Sequence, residues 1–377
     1  LIKINKIKSK AIKLKYYNSD LIKFQIIYKL TFIKFCYTLI KWNYFKDYIL
    51  KVIIPAAGEG TRLRPHTNTK PKPILPIAGS TIIDFIMENI SLIPDLEEVI
   101  FIVGYLKEQM IEYLTSKYKN IKLSFVVQKE YKGLAHAISL TREYIKEGDK
   151  IFIILGDTIF KLNLTEIVSK NENSLGVCEV DNPSRFGVAL LNDKGIIKKL
   201  VEKPKEPISN LALTGLYYIV QSKELFESID YIIDNDIKTK NEYQLTDALE
   251  YMIERGLIFK TFKLEGWFDC GEKSTMIETN RLLIKNKILS ENIKDSAIVP
   301  PVFIDENVEI KSSVIGPYVH IGKNSKIENS ILKNCIMFEE VNISNVLMDD
   351  CIVSEKAKYK GKTNSMDIGA SMTIEQN

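Results

Sequence analysis

Two glycines and two cations fall within one short stretch of this chain: Gly58, Gly60 and Arg62 in the run PAAGEGTRLRP (55–65), and Lys72 in the following KPKP (70–73). The stretch follows a β-branched run at 51–54. Glycines after a strand let the backbone turn tightly and bring N–H groups up to an anion. Arg62 and Lys72 supply charge that can close on the same polyphosphate, and Pro71 and Pro73 restrain the lysine's backbone. The pattern lacks the Gly-Lys-Ser/Thr end of a P-loop, and Leu63 stands where a dinucleotide fingerprint needs its third glycine. Two carboxylates carry the other chemistry. Asp157 follows the apolar run IFIILG (151–156), and Asp269 follows Trp267-Phe268 just before Gly271. Carboxylates at strand ends are hard oxygen ligands suited to Mg²⁺, although an aspartate in Gly-Asp-Thr can equally serve only a turn. His66, His136 and His320 have neither triad nor metal-ligand spacing.

The signature Gly-x-Gly-Thr-Arg-Leu-x-Pro followed by Pro-Lys-Pro-x-x-Pro resembles that of the sugar-1-phosphate nucleotidylyltransferases, with the glucose-1-phosphate thymidylyltransferase group as the nearest likeness. Further blocks follow in that family's order: QKEYKGLAHA (128–137), LGDTIF (155–160), PSRFGV (183–188), VEKP (201–204), NLALTGLY (210–217), EYQLTDA (242–248) and WFDCG (267–271). The likeness covers about residues 50 to 285. It implies a Mg²⁺-dependent enzyme that joins a nucleoside triphosphate, dTTP, to a sugar 1-phosphate, glucose 1-phosphate, with release of pyrophosphate. UTP or GTP as donor, or a noncatalytic nucleotide-sugar-binding protein, are the alternatives.

Both substrates of such a reaction are anions, so charge neutralisation and positioning carry it and no nucleophilic side chain is required. The resemblance assigns Arg62 and Lys72 to the triphosphate and Asp157 and Asp269 to the metal. Lys203 goes to the sugar phosphate and Glu202 to the sugar hydroxyls. The nucleotide-binding set becomes Ala57, Gly58, Gly60, Thr61, Arg62, Gln128 and Gly133. Gln128 offers a donor and an acceptor to a base edge, and Gly133 leaves room for the backbone to reach it. Gly187, Thr214 and Gly215 resemble the sugar-facing positions. Pro73 stands where some thymidylyltransferases have Gln, and Thr158 stands where Asn or Asp is common. Both departures leave the charged residues intact and bear on nucleotide preference.

The elements that must position these residues read as an α/β fold, with a Rossmann-like, mainly parallel mixed sheet. Strands at 51–54, 99–103, 123–127 and 151–155 alternate with helical patterns at 81–92, 107–118 and 133–144, as in a sheet covered on both faces. Ligands bind beyond the carboxyl ends of such strands, where the strand order switches, so the loops after 54, 127 and 155 should meet in one cleft. Strands at 175–180, 186–191, 197–202 and 211–220 suggest an antiparallel extension for the second substrate. Helices follow at 245–255 and 272–285. Beyond 291, Ile298, Ile304 and Ile310, then Ile315, Ile321 and Ile327, recur every six residues with one five-residue step. That is the pattern of a short left-handed hexapeptide β-helix, with Ile331, Ile336 and Ile352 as irregular later steps. We expect a catalytic domain over 49–290 and the β-helix over 291–377, serving structure or homo-oligomer assembly.

The 377 residues leave room for two or more domains. The formal charge of +4 conceals an asymmetry, because residues 1–48 carry eleven lysines against Asp20 and Asp47, so that subtracting their +9 leaves −5 for the rest. That balance gives no reason to expect a nucleic-acid partner. Residues 1–48 are expected to lie outside the fold. Their apolar runs are too broken by lysine for a membrane span, and a lysine- and aromatic-bearing helix on a membrane surface is the alternative. Five cysteines without paired spacing suit a reducing cytoplasm.

Overall fold

The computed structural model describes residues 49–362 apart from Pro207. The expected extension at 1–48 and the final residues of the expected β-helix domain lie outside the described residues. Among the described residues no helix is long and apolar enough to cross a membrane.

The first strand, β1 (Leu50–Pro55), is buried on both faces. Val52 and Ile54 pack into one core layer and Ile53 into another, which is why the strand is continuously apolar rather than alternating. Helix α1 (Ile82–Ile90) starts where the Thr81 hydroxyl accepts the Asp84 N–H, and it buries Ile82, Ile83, Ile86, Met87 and Ile90. Then come β2 (Leu96–Val103), α2 (Lys107–Lys117), β3 (Leu123–Val127), α3 (Leu134–Ser139) and β4 (Lys150–Ile154). The expected helix over 133–144 is shorter, with a separate 3₁₀ turn at Arg142–Tyr144. β2 and β4 lie parallel to β1 on its two sides, and β3 lies parallel beyond β2. The strand order therefore switches between β1 and β4, and the candidate phosphate loop and Asp157 leave the sheet side by side at that point.

Next are β5 (Thr158–Lys161), α4 (Leu164–Ser169), β6 (Ser174–Glu179), β7 (Gly187–Leu191), β8 (Ile197–Glu202) and β9 (Leu211–Ile219). β9 runs antiparallel to β4, β6 and β7, and β8 runs antiparallel to β7, which is the expected antiparallel extension. α5 (Ser222–Asp234), α6 (Leu245–Glu254), β10 (Lys260–Lys263), β11 (Gly266–Asp269) and α7 (Lys273–Leu283) complete the α/β part. α4, α5, β5, β10 and β11 were not anticipated, although α5 shows helical spacing in its buried Leu225, Phe226, Ile229 and Ile232. β11 pairs antiparallel with β5 and sets Asp269 opposite Thr158, next to Asp157.

Short parallel strands between Lys287 and Lys360 then build the β-helix. Ile298, Ile315 and Leu332 stack in one ladder. Ile304, Ile321 and Met337 stack in a second, and Ile310, Ile327 and Ile343 in a third. Turns thus take 17 residues where they include one five-residue step, and 16 where a second such step falls between Leu332 and Met337. Of the later isoleucines, Ile343 continues the inner line but Ile331, Ile336 and Ile352 do not. Leu332 and Met337 continue it too, while Ile331 is 47% exposed and Ile336 and Ile352 face the α/β core.

α7 joins the two parts. Asn280, fully buried, accepts from the Ala78 N–H at 2.9 Å and donates to the Tyr318 carbonyl at 3.1 Å. Arg281 reaches Asn334 and Asp350 on the β-helix. His320, 3% exposed, accepts the Gly79 N–H through Nδ1 at 2.9 Å and stacks on Phe303. Burial pushes its pKa down to about 4, with Glu339 pulling weakly the other way. A histidine whose folded pKa lies below its unfolded value of 6.5 stabilises fully above that value and loses its contribution as pH falls towards 4. The melting temperature should therefore fall between pH 6.5 and 4, and less steeply in His320→Gln, whose amide can still accept from Gly79. Equal slopes in a pH series of thermal melts would contradict this.

Candidate active site

The turn that carries Arg62 begins at Gly60, in the left-handed region at φ 63. A Cβ there would lie 3.0 Å from Thr67 Cγ2 and 3.2 Å from Lys72 Cβ, so both conformation and space call for glycine. The space over Gly58 is open, and a methyl group there would meet nothing within 4 Å. Leu63 is buried and anchors the turn in the core, which explains why no third glycine stands there. Lys72 opens a further 3₁₀ turn (Lys72–Ile74) behind Pro71 and donates to Asp157 Oδ2 at 2.7 Å.

Two adjoining cavities lie along this edge of the sheet. The first, about 350 Å³, is walled by Gly58, Gly60, Thr61, Lys72, Pro73 and Gly271 among others. The second, about 530 Å³, is walled by Gly187, Glu202, Lys203, Thr214, Gly215 and Asp269 together with Arg185, Gln244, Thr246 and Trp267. Among the described residues, only Arg62, Leu155 and Asp157 line both. The candidate phosphate loop and the candidate sugar residues thus open on the same carboxylate and the same guanidinium.

Burial works against the charge of Asp157. Lys72, and after it the Thr158 hydroxyl and the more distant Arg62, outweigh burial and hold the carboxyl below the usual range. Asp269 Oδ1 accepts the Gly271 N–H at 2.8 Å. Between them in the sequence, Cys270 points into the core, and burial pushes its thiol up to about 12, which removes it as a ligand. Among the described residues no three His, Cys, Asp or Glu side chains gather as a metal cluster. The candidate donors, Asp157 and Asp269, are two hard carboxylates, and such a set suits a hard divalent cation rather than a softer ion.

In the larger cavity, Glu202 accepts the Thr246 hydroxyl through Oε2 at 2.7 Å and faces Lys203 Nζ at 3.3 Å through Oε1. Lys203 has φ 42, a strained value for a non-glycine residue. Its N–H donates to the Phe186 carbonyl at 3.0 Å. The Thr214 hydroxyl and the Trp267 indole N–H are buried without hydrogen-bond partners among the described residues. Such groups are costly unless a ligand satisfies them.

Ala57, Gln128 and Gly133 line neither cavity. The Ala57 carbonyl accepts the Tyr105 N–H, and the Gln128 amide donates to the Glu130 carbonyl at 3.1 Å. At Gly133, φ is 111 and a Cβ would lie 2.4 Å from the Tyr243 carbonyl oxygen, so close packing alone demands glycine there. Sequence reasoning missed Arg185 and Glu272. Arg62 and Arg185 donate to the same oxygen, Glu272 Oε1, at 3.0 and 2.8 Å. Arg185 lies inside the quoted PSRFGV block, but a lone Glu272 after Gly271 carries no spacing signal.

A glycine-marked turn at the switch point of a mainly parallel sheet, facing a second polar cavity and followed by a β-helix, defines an α/β protein with its cleft at the switch point. Residues 51–286 match the Nucleotidyl transferase family, and the chain belongs to it. Residues 298–375 match the GMPPB C-terminal domain. The chain is 35% identical over 270 residues to the bifunctional protein GlmU of Methanococcus vannielii, covering 69% of this chain and 62% of that relative. It therefore spans somewhat less than two thirds of that relative's length. It is 33% identical over 227 residues to the UTP–glucose-1-phosphate uridylyltransferase AglF of Haloferax volcanii, covering 58% of this chain and 89% of that one. Among solved structures, a putative glucose-1-phosphate thymidylyltransferase from Bacillus anthracis aligns with a TM-score of 0.55 at 25% identity, over 64% of this chain and 98% of that one.

The shared Glu272 oxygen makes a prediction about anion binding. Glu272→Gln keeps an acceptor for the start of α7, where Glu272 is the N-cap, but removes the charge that competes for both arginines. Exposed pairs of this kind are worth ~0.5–1 kcal/mol, so inorganic tripolyphosphate should bind about 2- to 5-fold more tightly in a calorimetric titration. Unchanged or weaker binding would contradict the prediction.

Proposed function

We propose that this chain transfers a nucleotidyl group from dTTP to glucose 1-phosphate, giving the nucleotide sugar and pyrophosphate. The observation that carries this reading is the meeting of the two cavities at Arg62 and Asp157. A triphosphate along Gly58 to Thr61 would present its α-phosphorus where a sugar phosphate held by Lys203 can reach it. An oxygen of the sugar phosphate then forms the new bond to that phosphorus. The bond to the β-phosphate oxygen breaks, and pyrophosphate leaves with the electron pair.

Arg62 neutralises the charge that grows on the leaving pyrophosphate. Lys72 binds the triphosphate and, in the free protein, holds Asp157 charged. Mg²⁺, when held by Asp157 and Asp269, would neutralise phosphate oxygens and help to orient them. Glu202 is positioned by Thr246 to accept sugar hydroxyls, and the unpartnered Thr214 and Trp267 groups suit a polyhydroxyl ligand. Gln128, at the carboxyl end of β3, and Gly133, just before α3, remain the base-facing candidates.

UTP is the second reading. The similarity to a relative named for UTP favours it, and uracil presents nearly the same hydrogen-bonding edge as thymine. On either reading, residues 49–290 form the catalytic domain and 291–377 the β-helix domain. Assembly into a homo-oligomer would use the β-helix, where the exposed Ile331 and Leu347 stack in register. A cytoplasmic location goes with the use of intracellular nucleoside triphosphates.

Pyrophosphate release with glucose 1-phosphate and Mg²⁺, assayed in parallel with dTTP, UTP, GTP, CTP and ATP, tests the proposal. Turnover should be fastest with dTTP, should fall by roughly 10²-fold or more in Asp157→Asn and Asp269→Asn, and should show a raised KM for glucose 1-phosphate in Lys203→Met. Preference for UTP would establish the second reading, and full turnover in Asp157→Asn would remove the metal role.

A further inference from the structure

The stretch between the two cations of the phosphate loop does not stand free. It lies against the later coils of the β-helix. His66 Nδ1 is 2.7 Å from the Ser354 hydroxyl, the Thr69 hydroxyl donates to Glu355 at 2.6 Å, and Lys70 Nζ pairs with Glu339 at 2.5 Å. The Lys70 and Glu339 side chains are only 15% and 28% exposed. Phe338 is fully buried in the α/β core, with the His66 ring 5.9 Å away and the Lys70 ammonium at the same distance over its face. The two β-helix corners involved sit one coil apart and are tied to each other, Phe338 N–H to the Val353 carbonyl and Lys356 N–H to the Glu339 carbonyl.

The same stretch grips both cations from the other side. Fully buried Thr67 donates from its hydroxyl to the Gly60 carbonyl at 3.0 Å, at the start of the turn that carries Arg62. A single residue separates Lys70 from Lys72, and it is Pro71, with φ at −64. Displacing residues 66–70 therefore displaces Gly60 at one end and Lys72 at the other. Burial alone would raise the Glu339 pKa, yet Lys70 holds it below the usual range, as a formed pair requires.

We propose that the β-helix is the positioning brace of the phosphate loop, with Glu339, Ser354 and Glu355 acting on nucleotide binding through His66, Thr69 and Lys70 without touching substrate. This rests on the nucleotidyl-transfer reading and adds to it a role for the C-terminal domain. The ordering entropy of an eleven-residue loop, 61–71, is met when the chain folds rather than when the triphosphate binds, and preorganised sites bind more tightly for that reason. Anything that shifts the later coils, including contact with a second copy, would then change triphosphate affinity.

The test uses the full chain. Tripolyphosphate affinity and the KM values for nucleotide and for sugar 1-phosphate are measured for Glu339→Gln, Lys70→Met, the double variant and the swap Lys70→Glu/Glu339→Lys. Ser354→Ala serves as an uncharged control in the same contact. Each single variant should weaken tripolyphosphate and raise the nucleotide KM by about 3- to 10-fold while leaving the sugar 1-phosphate KM in place. The double variant should be no worse than the singles, the swap should recover most of the loss, and Ser354→Ala should shift affinity in the same direction by less. Lowered thermal stability with unchanged tripolyphosphate affinity would overturn the brace. So would a Lys70→Met defect far larger than that of Glu339→Gln and not rescued by the swap, because Lys70 would then be a direct phosphate ligand. Absence of turnover alongside the expected tripolyphosphate pattern would instead leave the brace standing and refute the proposed reaction.

Discussion

The ion pair between Lys72 and Asp157 is the contact on which the rest of the site depends. It joins the loop after β1 to the loop after β4, the two parallel strands between which the strand order switches. A site for two anionic reactants must hold cations close together without letting them repel the fold apart, and it must hold carboxylates close to phosphates. Pairing the lysine with the aspartate resolves both problems in the free protein. On the proposed reading, an arriving triphosphate and divalent cation would give each partner a new counter-ion, so that neither charge would be left bare. Arg62, Arg185 and Glu272 repeat the arrangement on the outer side, where solvent makes the exchange cheaper.

That economy explains the architecture around it. The antiparallel extension carries Glu202 and Lys203 to the far wall, and the β5–β11 pair brings Asp269 back beside Asp157 from more than a hundred residues away. α7 follows directly from that aspartate and packs into the β-helix through Asn280 and Arg281. The C-terminal domain is thereby tied to the site twice, once behind Asp269 and once, through residues 66–70, behind Lys72.

Much of this was legible in the residues. The alternation of apolar runs with helical patterns gave the parallel half of the sheet, because strands buried on both faces are unbroken apolar runs. The six-residue isoleucine repeat gave the β-helix until Ile327. Beyond it, the inner line passes to Leu332 and Met337 before returning to Ile343, while Ile331, Ile336 and Ile352 turn outward or towards the α/β core, so counting one residue type misplaced part of the core. The β5–β11 pair was invisible because its partners are distant in sequence and each strand is only four residues long. In the site, charged residues at glycine-marked turns were easy to nominate. Glu272 and Arg185 were not, since their meaning lies in sharing one oxygen, which is a property of three loops at once.

The central claim is that the two reactants meet directly at Arg62 and Asp157, with no covalent stage on the protein. Exchange of labelled pyrophosphate into the nucleoside triphosphate, measured with and without sugar 1-phosphate or nucleotide sugar, tests it most directly. Exchange should occur only when the sugar component is present. Exchange in its absence would mean that a side chain of the protein takes the nucleotidyl group, contradicting direct transfer between the two cavities.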